Sequence, residues 1–206
     1  MLSRESYGKG FYRKPRIDYP TLEKYHDGLI ASSACIIGQV SNLLLNNDYD
    51  GAKRVATWMR DVFGEDYYLE IMNHGLGIEM KVMQDIRRLG RELDIPVIAT
   101  NDDHYTRKED HNLQKTLMLT GMHKSWSDNG IAGEFFIPGT TEVDIYDESR
   151  QREMADKDAG ESDPIFETPA ELYIKNYDEM LEFLRPNGGD NGVAEQELAN
   201  TLDVAA

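Results

Sequence analysis

Apolar residues follow two rhythms along this chain. Three short apolar runs, at residues 29–32, 67–71 and 95–99, have the length and composition of buried strands. Between them the apolar positions fall three or four apart. Ala52, Val55, Ala56, Met59 and Val62 make a one-sided stripe in a helix over residues 49–63. Leu76, Met80, Met83, Ile86, Leu89 and Leu93 make the clearest stripe, over 76–93. Residues 43–45 extend the first helical region, with a break at Asn46-Asn47 and Ser41 as a plausible N-cap. Ahead of the first strand, residues 1–20 read as irregular and 21–26 as a short helix stopped by Asp27-Gly28.

The order is thus β-α-β-α-β with short connections. Strands separated by helices imply parallel pairing and right-handed crossovers. The fold class is α/β, either a barrel or an open doubly wound sheet. Beyond Tyr105 the pattern weakens. Residues 110–119 read as a helix, and 120–169 are rich in Gly, Asp, Glu and Ser. The most polar part, 148–163, reads as a loop or insertion. A short strand at 172–174, a helix at 177–184, a turn at 186–189 and a last helix at 193–206 follow. The expected organisation is an α/β region at 1–121, an acidic irregular segment at 122–170 and a short helical segment at 171–206.

Charge sharpens this division. The chain of 206 residues has a net charge of −16. Residues 1–110 carry 15 basic and 18 acidic side chains, whereas 111–206 carry 7 and 20. The acidic second half argues against a free-standing nucleic-acid binder, because phosphate affinity needs positive charge. A basic cluster nevertheless opens the chain: Lys9, Arg13, Lys14 and Arg16, with Phe11 and Tyr12 between them. Such interleaving can hold phosphates and stack on bases, and Arg13, Lys14 and Arg16 are candidate nucleic-acid contacts; the bland alternative is a solvated arm. No apolar run approaches the roughly 20 residues that span a bilayer, and residues 1–5 have no signal-peptide core. A single cysteine makes no internal disulfide, so a cytoplasmic protein with no membrane partner is expected.

Candidate chemistry sits at the strand exits, where the loops of parallel α/β folds converge. The third strand empties into Thr100-Asn101-Asp102-Asp103-His104-Tyr105. Asp102 offers a hard carboxylate and His104 an imidazole, and extended alternation would point both the same way. Cys35 follows the first strand; a lone cysteine is commonly a small buried hydrophobe, but a thiolate there would suit zinc. His74 follows the second strand as a ligand or a helix-start device. Glu70, inside that strand, reaches a barrel interior or pairs with a buried base. His111 has a helical neighbourhood and reads as surface. A G-x-S-x-G elbow, a Walker loop, a G-x-G-x-x-G turn and a Cys-x-x-Cys pair are all missing from the sequence.

Four runs carry a resemblance: Gly10-Phe11-Tyr12-Arg13-Lys14-Pro15-Arg16-Ile17-Asp18, Asp27-Gly28-Leu29-Ile30-Ala31-Ser32-Ser33-Ala34-Cys35, Tyr68-Leu69-Glu70-Ile71-Met72-Asn73-His74-Gly75-Leu76 and Ala99-Thr100-Asn101-Asp102-Asp103-His104-Tyr105. In this order and spacing they resemble the polymerase-and-histidinol-phosphatase (PHP) domain of bacterial DNA polymerase III alpha subunits, over 10–121 and again, loosely, at 172–184 and 197–206. The resemblance implies a distorted barrel of parallel strands and helices, present here in part. It implies a divalent-metal site (zinc, manganese or magnesium) with Cys35, Asp102 and His104 at ligand positions. In some members that site is a 3′→5′ proofreading exonuclease, and in others it is degenerate. The family's opening His-x-His strand and the palm of the polymerase are missing from this sequence, so an incomplete site is expected. The expected partners are DNA in the context of a full polymerase, the missing N-terminal PHP part and the polymerase core. The alternatives are a free-standing PHP phosphoesterase and a non-catalytic structural module.

Overall fold

The computed structural model describes residues 1–121, 170–185 and 192–205. The expected acidic segment and the turn at 186–189 lie outside the described residues. Contacts divide the chain into two compact units. The first comprises Met1–Ile71, Val82–Ala99 and Gln196–Ala206; the second comprises Met72–Lys81 and Thr100–Glu195.

The first unit is built on a parallel sheet of three strands in the order β1-β2-β3. They are β1 (Ala31–Ser32), β2 (Tyr67–Ile71) and β3 (Val97–Ala99). The register sets Ala31 against Tyr67, and Leu69 against Val97. In β2 the side chains of Tyr67, Leu69 and Ile71 are buried while Tyr68 and Glu70 are half-buried, the alternation a pleated strand imposes. The crossovers are helical, so the expected parallel α/β architecture is present, as a mixed fold dominated by helices.

The helices are α1 (Leu2–Tyr7), α2 (Tyr19–Lys24), α3 (Gln39–Leu45), α4 (Tyr49–Phe63) and α5 (Gly77–Leu93). Beyond the sheet come α6 (His111–Gly121), α7 (Tyr177–Leu184) and α8 (Val193–Ala205). Asp48 caps α4 by accepting the Gly51 N–H at 2.8 Å. Met83, Ile86, Leu89 and Leu93 of the expected stripe are buried in α5, together with Val82, whereas Met80 is exposed and Leu76 lies half-buried ahead of the helix. Gly90 allows α5 to approach β3, since a Cβ there would lie 2.7 Å from Val97 Cγ2.

Several expectations are corrected. Residues 1–20 are not all irregular, because α1 forms within them. None of its residues is buried, so it carries no apolar period to read. Helix α2 starts at Tyr19: Asp18 accepts the Thr21 N–H at 3.0 Å, and Pro20 sits in the first turn, where a missing N–H costs nothing. Strand β1 is two residues long, with Leu29 and Ile30 exposed. Ser41 caps nothing; it lies inside α3, buried, and Gly38 takes the N-cap position. The expected strand at 172–174 is a single parallel bridge between Tyr105 and Tyr173.

Helix α8 closes the free edge of the sheet. Asn200 Nδ2 donates to the Val97 carbonyl at 2.8 Å. The Ala99 N–H donates to Thr201 Oγ1 at 3.1 Å, and the Thr201 hydroxyl lies 3.0 Å from the Ala99 carbonyl. Two side chains thus stand where a fourth strand would, which removes an open edge. The helix is fixed to α5 by a buried bidentate ion pair. Arg87 Nε and Nη2 donate to Glu197 Oε1 and Oε2 at 2.6 and 2.7 Å, with both side chains at most 6% exposed. Removing one member leaves the other charged and buried. Glu197→Ala is expected to destabilise the protein by about 3–5 kcal/mol, and R87M/E197L to recover most of that loss, as read from urea unfolding midpoints.

Candidate functional site

The exits of β2 and β3 lead into a polar network in the second unit. After Ile71 the chain turns through Asn73-His74-Gly75. Asn73 Oδ1 accepts the Gly75 N–H at 2.9 Å, and its amide donates to the Phe183 carbonyl. Gly75 has a φ of +87°, a conformation open to glycine at little cost.

His74 is 3% exposed. Its backbone N–H donates to Glu79 Oε2 at 2.7 Å, and its Nδ1 faces Glu79 Oε1 at 2.8 Å. Its Nε2 faces the Asn101 carbonyl at 2.7 Å. Acceptors therefore occupy both ring nitrogens, which favours the doubly protonated imidazolium. Burial pulls its pKa down, but the hydrogen bond and charge of Glu79, with the Asn101 carbonyl, outweigh burial and the net displacement is upward.

Asn101 joins this centre to a second one. Its amide donates to Asp103 Oδ1 at 2.6 Å and to the Tyr173 carbonyl, and its Oδ1 accepts from Lys175 Nζ at 2.9 Å. The Lys175 side chain is fully buried, with its ammonium 4.6 Å from the Tyr173 ring centre and 5.0 Å from that of Phe183. Burial pulls its pKa below the ordinary lysine value. Glu171, also buried, pairs with Lys108 at 2.7 Å and lies 3.8 Å from Lys175. Sequence reasoning missed Glu79, Glu171 and Lys175. An acid in the first turn of α5 was a readable sign of the first; nothing in the pattern marks the other two.

The candidate ligands are placed as follows. Asp102 and His104 come together, Oδ1 to Nε2 at 3.4 Å, on a half-exposed surface. Asp102 has a φ of +51°, so a left-handed residue and not extended alternation brings them to one side. The His104 N–H donates to the Leu172 carbonyl at 2.8 Å, which pins the loop. Cys35 lies in the first unit, half-exposed, on the tight turn from Ser33 to Gly38. Glu70 is held within the sheet by the Ser32 hydroxyl, and its N–H donates to Ser33 Oγ at 2.8 Å. His111 is a correction: it is not a free surface histidine. Nδ1 lies 3.2 Å from the Tyr105 hydroxyl, and burial, with the charge of Lys115, depresses its pKa to about 4. Arg13, Lys14 and Arg16 are exposed.

Among the described residues no three His, Cys, Asp or Glu side chains gather closely enough to hold a metal ion. A catalytic zinc site needs three protein donors. Asp102 and His104 supply two, and the ring nitrogens of His74 are already engaged. The donors described do not fit a metal centre.

Residues 1–74 match the PHP domain family. The motif resemblance extends to named relatives, all DNA polymerase III alpha subunits. That of Borreliella burgdorferi is 39% identical over 146 residues, 69% of this chain and 13% of the relative. That of Campylobacter jejuni is 44% identical over 138 residues, 62% and 11% of the two chains. That of Deinococcus radiodurans is 34% identical over 146 residues, 69% and 11%. Over residues 1–74 this chain is similar to the PHP domain family, and over about two thirds of its length it is similar to those subunits, of whose length it spans about an eighth. Among the described residues no helix is long and apolar enough to cross a membrane.

The two buried or half-buried histidines respond to pH with opposite signs. A raised His74 value means that the native state binds the proton more tightly than the unfolded chain. Its contribution is complete below about pH 6.5 and is lost as pH rises through the raised value. His111, depressed, contributes above about pH 6.5 and loses that contribution as pH falls toward its native value. Glu79→Gln removes the charge that raises His74. The stability gap between wild type and E79Q is therefore expected to be widest near pH 5.5 and to shrink by about pH 8.5, measured as urea midpoints across that range.

Proposed function

We propose that this chain acts in DNA replication, in the cytoplasm, as the PHP-domain region of a DNA polymerase III alpha-like protein. Its three parallel strands are then part of a distorted PHP-type β/α barrel. Its role in this reading is that of a scaffold, with the polymerase core and the remainder of the barrel as its partners and DNA engaged through the whole assembly. The observation that carries the reading is His74. A histidine at a strand exit, buried with both nitrogens satisfied by Glu79 and Asn101, serves the architecture of the loops and is not available to an ion.

A second reading is a metal-dependent 3′→5′ exonuclease. It is favoured by the approach of Asp102 to His104, the one pair of candidate donors that meets on an accessible surface. That reading needs at least one further donor beyond those of the described residues.

The readings separate in one assay. The purified chain is incubated with manganese and a primer–template bearing a 3′ mismatch, beside D102A/H104A and Cys35→Ala variants. The scaffold reading expects no nucleotide incorporation and no digestion above a chelated control. Manganese-dependent shortening of the primer that disappears in D102A/H104A would overturn it in favour of the nuclease.

A further inference from the structure

The N-terminal loop carries an arrangement that the scaffold reading does not use. Tyr7, Phe11 and Tyr12 are 70%, 53% and 65% exposed. Burying an aromatic side chain is favourable, so three neighbouring rings left in water are a costly surface unless something covers them. Tyr7 and Phe11 stack on each other, with centroids 6.3 Å apart and planes 19° apart. The guanidinium carbons of Arg13 and Arg16 both lie 5.7 Å from the Tyr12 ring centre.

The backbone holds this display in place. The Gly10 N–H donates to the Glu5 carbonyl at 3.0 Å, which ties the loop to α1. Tyr12 and Lys14 exchange backbone hydrogen bonds across Arg13, whose φ of +59° makes the tip of a tight turn. Gly10 lies so close to the Arg16 backbone that a Cβ would fall on its carbonyl. Lys9, Arg13, Lys14 and Arg16 bring four positive charges, and residues 6–17 contain no acid. Among the described residues none of the four pairs with a carboxylate. Flat rings beside unpaired cations match a polymer of flat bases on a charged backbone better than they match a protein surface.

We infer that Tyr7, Phe11 and Tyr12, with Lys9, Arg13, Lys14 and Arg16, form a stacking platform for a single-stranded nucleic acid. Bases lie on the exposed rings and phosphates on the four cations. A duplex, whose bases are already stacked, engages the cations alone. The choice of DNA over RNA rests on the replication reading above.

The test is fluorescence anisotropy of the full chain with labelled oligothymidine, oligouridine and a DNA duplex, in chelator, over a range of salt. The F11A/Y12A variant removes rings, and R13A/K14A/R16A removes charge. All the altered side chains are exposed, so circular dichroism and urea midpoints are expected to match wild type. Wild type is expected to bind the single strand more tightly than the duplex, with a log–log salt slope of about −2 to −3. F11A/Y12A is expected to lose about tenfold or more in affinity with the slope unchanged. R13A/K14A/R16A is expected to flatten the slope to about −1. Preference for oligouridine would support the platform while counting against the replication reading. Equal binding of duplex and single strand, insensitive to F11A/Y12A, would overturn stacking. So would self-association that F11A/Y12A abolishes in a protein that binds no oligonucleotide, because the rings would then belong to a protein interface.

Discussion

The buried Arg87–Glu197 pair is the constraint on which the first unit depends. A guanidinium and a carboxylate removed from water are tolerated only when their geometry is satisfied, and here two hydrogen bonds satisfy it. The pair fixes α8 against α5. Once α8 is fixed, Asn200 and Thr201 reach the outer edge of β3 and take over its unpaired backbone groups. A three-stranded parallel sheet with an open edge would be a marginal object and a template for association. Here the last helix of the chain supplies that edge, about a hundred residues after the strand it protects.

The second unit follows a related rule with different chemistry. A buried polar network ties its described loops together. Glu79 takes two hydrogen bonds from His74, and Asn101 takes one from Lys175 while its carbonyl faces His74. The two cationic groups, His74 and Lys175, each face an acceptor. This rigidity has a functional cost: a histidine whose two nitrogens are engaged can ligate a metal only by giving up a bond. The same residue type at the same strand exit can hold an ion or hold a loop, and its partners decide which.

How much could be read from the sequence followed from what each element buries. Strand β2 and helices α4 and α7 were legible to the residue; periodic burial marks the first two, while α7 buries only Leu184 and is bounded at its start by the Asn176–Glu179 capping box. Helix α1 left no such trace, as it buries no residue; α2, which also buries none, was read two residues late at 21–26, although the Asp18 cap and Pro20 mark its start at Tyr19. The Asp102–His104 pair was found, though by the wrong geometry, since a left-handed Asp102 and not an extended strand turns it. Lys175 and the α8 edge cap were beyond reading. Both depend on partners some 70 to 100 residues away, and one-dimensional spacing holds no record of such contacts.

The charge of the chain sharpens the reading of its N-terminal loop. A net charge of −16 opposes any polyanion, yet opposition from distant charges is screened over about 8 Å at physiological salt. At that range a phosphate approaching Arg13 or Lys14 senses the nearby groups far more than the distant carboxylates of the chain. Diluting the salt strengthens those local contacts, but it also lengthens the reach of every carboxylate in the chain. The two effects oppose each other, so the gain from low salt must be smaller than four cations alone would give. Stacking on Tyr7, Phe11 and Tyr12 is not subject to this cancellation. In so acidic a protein, rings are the part of a nucleic-acid surface that remains effective over the widest range of conditions.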